Sequence, residues 1–420
     1  MGGLQRADAV AYAKASQAIA NLRGVFIIVL VSFHSCLAYL GSTPGPATSF
    51  DKPPFLWLAF PIVDARRFYG FDLYCAWEDV HLMAMMFFVS GLFAAPSLRR
   101  KGAARFAADR LRRLGVPFLF SALVLVPIGL YPVFHRLHPA ADVAGYLAAY
   151  RNLPFLPNGP TWFLWMLLAL SLVAAALKAF VPRALDRLGA VAANARRRPE
   201  RFLMALTGAA ILAYLPLTLA YGPFDWFEHG PFSFQISRPL LYGVFFFAGV
   251  AVGATGLGEG LLAPDGALGG YWRRLAALSP LMLFLWMGIT GVAVTFPGFA
   301  QLPMRALSAL AYVGASVAGV MLWIAVAARF STRRIGWLEP LSRNALGIFV
   351  LHYAPLVWMQ YWLTGVPLPA VLKAALVLIV VLPLSLGAAM AMRRAPVLAR
   401  LIGEAPETKR VRAKAPAPQS

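Results

Sequence analysis

Apolar blocks of about twenty residues recur along this chain, each bounded by basic or Pro/Gly-rich loops. That is the length a helix needs to cross a hydrocarbon core about 30 Å thick. Only 13% of the residues are charged and 60% are hydrophobic, and a soluble protein carries about twice that charge. The expected fold is therefore all-α, a polytopic integral membrane helix bundle of about ten transmembrane helices. The spans read at 19–40, 76–97, 114–131, 160–181, 202–221, 239–257, 277–297, 306–328, 342–363 and 369–391. The stretch Phe55 to Val63 is apolar but too short to cross, so an interfacial or re-entrant piece is expected there. The first 18 residues are polar and Ala-rich, and the apolar run after them has full span length, so no cleavable leader is expected.

Loop charge gives the orientation. With the N-terminus inside, the inner segments hold 30 of the 38 Lys and Arg residues. The outer loops hold seven: Lys52, Arg66, Arg67, Arg136, Arg151, Arg238 and Arg305. Lys373 falls within the last span. Both termini are expected in the cytoplasm. Basic inner loops facing anionic lipid account for the net charge of +21, so nucleic acid is not an expected partner. Residues 1–400 read as one transmembrane domain. Residues 401–420, with Lys409, Arg410, Arg412 and Lys414 among Pro and Ala, read as a disordered basic cytoplasmic tail. Cys36 and Cys75 offer neither a disulfide framework nor a metal spacing.

An ionisable residue within a span is a functional-site candidate. His34 lies deep in the first span and Arg23 at its start, eleven residues or roughly 16 Å apart along a helix. His352 reaches a similar depth in the ninth span. Such histidines can be polar contacts between helices, or bases that take a proton from a hydroxyl and later release it. His81 stands three residues after Glu78, on one helical face. The pair reads either as an interfacial helix cap or as an imidazole oriented by a carboxylate. His135, His138 and His229 fall in outer loops and read as solvated. The first inner loop carries seven cations, mostly explained by topology. Within it, Arg110 and Arg113 at i, i+3 form a two-guanidinium clamp suited to phosphate. Trp162 and Trp165 open the fourth span, as part of the interfacial aromatic belt or as platforms for sugar rings.

Arg23 and His34, spaced R-x10-H, resemble the first-span signature of the membrane acyltransferase-3 family. Arg110 and Arg113 resemble its R-x-x-R motif, and His81-Leu82-Met83-Ala84-Met85-Met86-Phe87-Phe88-Val89-Ser90-Gly91 resembles its second span. With Trp162-Phe163-Leu164-Trp165 and Leu351-His352, the chain looks most like the branch containing glucan biosynthesis protein C, a succinyltransferase acting on periplasmic glucans. The resemblance implies a bacterial inner-membrane acyltransferase. It implies acyl-CoA as donor, a hydroxyl of an extracytoplasmic carbohydrate as acceptor, and no metal. His34 is then catalytic, assisted by His352 or by His81 with Glu78. Arg23, Arg110 and Arg113 contact the CoA phosphates, and Trp162 and Trp165 meet the acceptor. Pro160-Thr161 stand where many members have His-Leu, and no Glu follows Trp165 as it does in others. The rival reading is a multispan transporter or flippase, which also buries ionisable residues at the midplane. A structural subunit of an envelope-polysaccharide assembly, with a degenerate cavity, is the third.

Overall fold

The computed structural model describes residues 2–230, 232–296, 298 and 301–406, with side chains from residue 9 onward. About 74% of the chain is helical. Among the described residues, eight helices are long and apolar enough to cross a membrane: Ala9–Tyr39, Gly70–Lys101, Ala103–Leu137, Gly159–Phe180, Pro199–Tyr221, Ala267–Thr295, Gln301–Phe330 and Ala370–Met392. Pro239–Thr255 is a shorter apolar helix. Leu212, Leu281, Phe284 and Ile379 project outward with more than half of their surface exposed, as lipid-facing side chains do. The chain is an all-α membrane bundle.

Two of the expected spans are not plain helices. The segment read at 342–363 is three short helices, Leu338–Arg343, Ala345–Leu351 and Tyr353–Trp362. Pro355 explains the second break, because it has no N–H for the Leu351 carbonyl and its ring crowds that group. His352 sits at this break, with its own N–H still bonded to the Ile348 carbonyl at 2.9 Å. The third span contains two π-helical turns, Leu111–Gly115 and Ser121–Leu125. Each precedes a proline, Pro117 or Pro127, whose missing N–H widens the preceding turn. A third, Pro132, frees the Ile128 carbonyl, which instead accepts the Trp358 indole N–H at 2.9 Å.

The second helix and Pro239–Thr255 approach closely through glycine. A Cβ on Gly91 would lie 2.0 Å from the Phe246 carbonyl oxygen, and one on Gly249 would lie 2.0 Å from that of Phe88. Close backbone packing of this kind holds helices together where lipid offers no hydrophobic drive.

The all-α expectation omits one small element. Strands β1 (Trp226–His229) and β2 (Phe232–Gln235) form an antiparallel hairpin with Trp226 opposite Gln235. It is tied to the loop before the Gly159–Phe180 helix, where the Leu156 N–H donates to the Gly230 carbonyl at 2.8 Å. The stretch Phe55 to Val63 does not cross. It makes a 3-10 turn at Leu56–Leu58 and buries Trp57, whose indole N–H donates to the Phe50 carbonyl at 3.1 Å.

Lys373, read in the last span without a partner, meets Asp64 at 2.7 Å, and both side chains are buried. Removing one partner strands the other charge. Lys373→Met is expected to destabilise the fold by about 3–5 kcal/mol, and adding Asp64→Asn to recover much of that loss. Thermal unfolding of both variants in detergent measures this.

Candidate active site

The first helix runs unbroken from Gly2 to Cys36, so Arg23 and His34 lie on one rigid rod. Each lines a different cavity. The arginine pocket, about 290 Å³, is lined by Arg23, Arg110, Arg113, Ser90, Glu404 and an apolar wall. The histidine cavity, about 260 Å³, is lined by His34, Glu78, Asp79, Asn158, Trp162, Arg238 and Gln360 among others. Leu30 and Phe349 line both. They form the partition where the cavities meet.

The same two partition residues orient the histidines. His34 Nδ1 lies 2.9 Å from the Leu30 carbonyl, and His352 Nδ1 lies 2.7 Å from that of Phe349. A carbonyl only accepts, so Nδ1 is the donor in both rings, and in the neutral imidazole each Nε2 then carries the lone pair. The rings lie 5.0 Å apart, centre to centre. His34 borders the cavity, whereas His352 is fully buried behind it and its Nε2 has no partner. Gln360 donates to the His34 carbonyl at 3.0 Å and to that of Ser35 at 3.4 Å. It thereby satisfies orphan carbonyls at the helix end and fixes the backbone that carries His34.

His81 does not join this group. The Trp323 indole N–H donates to its Nε2 at 2.8 Å, so its basic nitrogen is engaged. Glu78 is 4.0 Å from that nitrogen, too far for a hydrogen bond. The expected Glu78–His81 unit is therefore separated. Glu78 alone lines the cavity, and neither of its buried carboxyl oxygens has a partner. The two tryptophans separate as well. Trp162 lines the cavity and stacks on Tyr242 at 5.7 Å. Trp165 packs beneath the hairpin, 4.7 Å from Phe232 and 5.5 Å from Phe234, and supports the cavity wall from behind. Of the outer-loop histidines, His135 stacks on Tyr131 and His138 packs on Phe134. Among the described residues no three His, Cys, Asp or Glu side chains gather as a metal-ligand set.

In the arginine pocket, Arg110 and Arg113 share one wall although the π-turn after Arg110 replaces the regular α-helical register. Arg110 is half-buried, its guanidinium 4.9 Å over the Phe106 ring. Arg23 and Arg113 are exposed, with guanidinium N–H groups available to an anion. Sequence reasoning missed four contributors. Arg238 grips Asp79 through two hydrogen bonds, at 3.0 and 2.7 Å, and lies 4.9 Å over the Tyr312 ring. Counted as a loop charge, it is instead a buried wall of the histidine cavity. Asn158 and Gln360 add amide groups there. Glu404 enters the arginine pocket from beyond the last span. The segment read as disordered from 401 begins in packed form, with Ile402 buried; residues 407–420 lie outside the described residues.

A membrane bundle enclosing an arginine-lined pocket and a histidine-lined cavity that share Leu30 and Phe349 is the class of protein that this fold and site define. Residues 17–393 match the acyltransferase domain of the acyltransferase-3 family. The chain belongs to that family and is a membrane enzyme that transfers acyl groups. No curated protein and no solved structure matches it.

Proposed function

We propose that this enzyme moves an acyl group, acetyl or succinyl, from cytoplasmic acyl-CoA to a hydroxyl of an extracytoplasmic carbohydrate such as a periplasmic glucan or envelope polysaccharide. The observation that carries this reading is the pair of cavities meeting at Leu30 and Phe349, with three arginines in one and His34 in the other. The lysine and arginine count supports ten crossings with both termini inside, and so an inner arginine pocket and an outer histidine cavity. The donor's phosphates dock on Arg23, Arg110 and Arg113, since planar guanidinium forks match phosphate oxygens. Its acyl arm passes the partition towards His34.

The acceptor hydroxyl reaches His34 from the other cavity. His34 Nε2 takes its proton, and the oxygen attacks the thioester carbonyl. The C–S bond breaks, and the leaving thiolate takes the proton from His34. The products are an ester and free CoA. His352 acts as a positioning neighbour of the His34 ring. Glu78, Asp79, Arg238, Asn158 and Gln360 around Trp162 supply the mixture of polar groups and an aromatic face that a hydroxyl-rich acceptor needs. Mass spectrometry of envelope glycans from a deletion strain and its parent tests the assignment. The deletion is expected to lose 42 or 100 Da, roughly, per acylated hydroxyl on one glycan fraction, the mass an esterified acetyl or succinyl group adds. Identical glycans in the two strains would overturn it.

A further inference from the structure

Glu404 is the one acidic side chain among the described residues lining the arginine pocket. Its seat is built from the fold. The short helix Pro396–Leu401 closes with Gly403 at φ +70, the left-handed conformation that ends helices. The Gly403 N–H then bonds the Arg400 carbonyl at 3.1 Å, and the Glu404 N–H bonds that of Ala399 at 3.0 Å. A Cβ on Gly403 would lie 2.5 Å from the Arg113 carbonyl oxygen, so the turn presses directly on the pocket wall. Ile402 is buried beside Gly347, and Arg393 Nε donates to the Ala405 carbonyl at 3.1 Å. These contacts aim the Glu404 side chain inward.

The carboxylate itself is held lightly. Glu404 Oε1 accepts the Gly347 N–H at 3.2 Å, a long hydrogen bond, and no described arginine comes within ion-pair distance of it. Arg23 and Arg113 still act on it through space, as does Arg393. Burial pushes the Glu404 carboxyl above the usual carboxylate range, and the Gly347 N–H and these cations offset only part of that rise. An anion seated among cations, without a locked partner, is one that a stronger anion can displace.

We propose that Glu404 is a built-in competitor of the donor, a counter-anion that fills the phosphate site of the empty pocket and must yield to the phosphates of the incoming thioester. This rests on the reading of the arginine pocket as the donor site. A phosphate- or pyrophosphate-bearing ligand displaces the carboxylate by its larger charge. When the acyl group has left, Glu404 returns and speeds release of the free CoA.

The test is calorimetric titration of coenzyme A itself into the full-length protein in nanodiscs. Glu404→Gln keeps an oxygen for the Gly347 N–H but removes the charge, and Glu404→Ala removes both. Both variants are expected to bind coenzyme A roughly tenfold more tightly than the unaltered protein, about the strength of one charged hydrogen bond. Unchanged or weaker binding in both overturns the proposal and makes Glu404 a structural counter-charge, while leaving the donor site standing. Absence of coenzyme A binding in every form overturns the donor-site reading itself and the proposal with it. Unfolding midpoints of the variants, compared with the parent, separate loss of fold from loss of binding.

Discussion

His34→Ala is expected to lower acyl transfer at least about 10³-fold, within the range that a positioned general base supplies, while the protein still folds. The expectation follows from where the ring sits. His34 borders a cavity and spends its one donor on the carbonyl of its own helix. Alanine therefore leaves no buried donor or acceptor in a neighbouring helix without a partner, and the packing around Gln360 survives. The assay is CoA released per minute by purified protein, with the unfolding midpoint measured beside it. Retention of activity within tenfold would exclude His34 as the base.

Replacing Arg110 and Arg113 together with alanine is expected to act on the donor alone. Hydrogen bonds to charged groups are worth about 1.5–3 kcal/mol each, so losing two raises the donor KM by roughly 10² to 10⁴. The rate at saturating donor stays within a few-fold, because neither arginine reaches the histidine cavity. Arg110→Lys keeps charge but loses the planar fork, and its KM falls between those of the parent and the double variant. A double variant with unchanged donor KM and a collapsed kcat would move these residues from binding to structure.

The sequence carried what depends on one continuous element. The Arg23–His34 spacing is legible because an unbroken helix turns residue count into distance. The Arg110–Arg113 pair is legible because neighbours along a chain stay neighbours, even through a π-turn. Pairing across the bundle is not legible. Lys373 reads as a lone cation until Asp64, 309 residues earlier, closes on it. Arg238 reads as an outer-loop charge until Asp79, 159 residues away, meets it. His81 shows how local pattern misleads: its spacing from Glu78 is right for a helical face, but Trp323 takes its nitrogen from another span. Glu404 was hidden by the composition that follows it, where Pro, Ala and basic residues suggest disorder. Gly403 after the mostly apolar stretch Pro396–Leu401 was the available signal, since glycine past a helix end marks an ordered cap. The ninth span looked continuous because its hydropathy is continuous, while Pro355 placed a break at His352 that hydropathy does not register.

The proposed reaction runs along one path, from an arginine pocket through the Leu30–Phe349 partition to His34. The most direct test supplies purified protein with acetyl-CoA or succinyl-CoA, with and without an envelope oligosaccharide, and follows the free thiol of CoA. Acceptor-dependent release is expected, falling to background in His34→Ala and needing far higher donor in the Arg110→Ala/Arg113→Ala protein. A transporter releases none. Release absent from the parent protein, or undiminished in His34→Ala, would contradict the account.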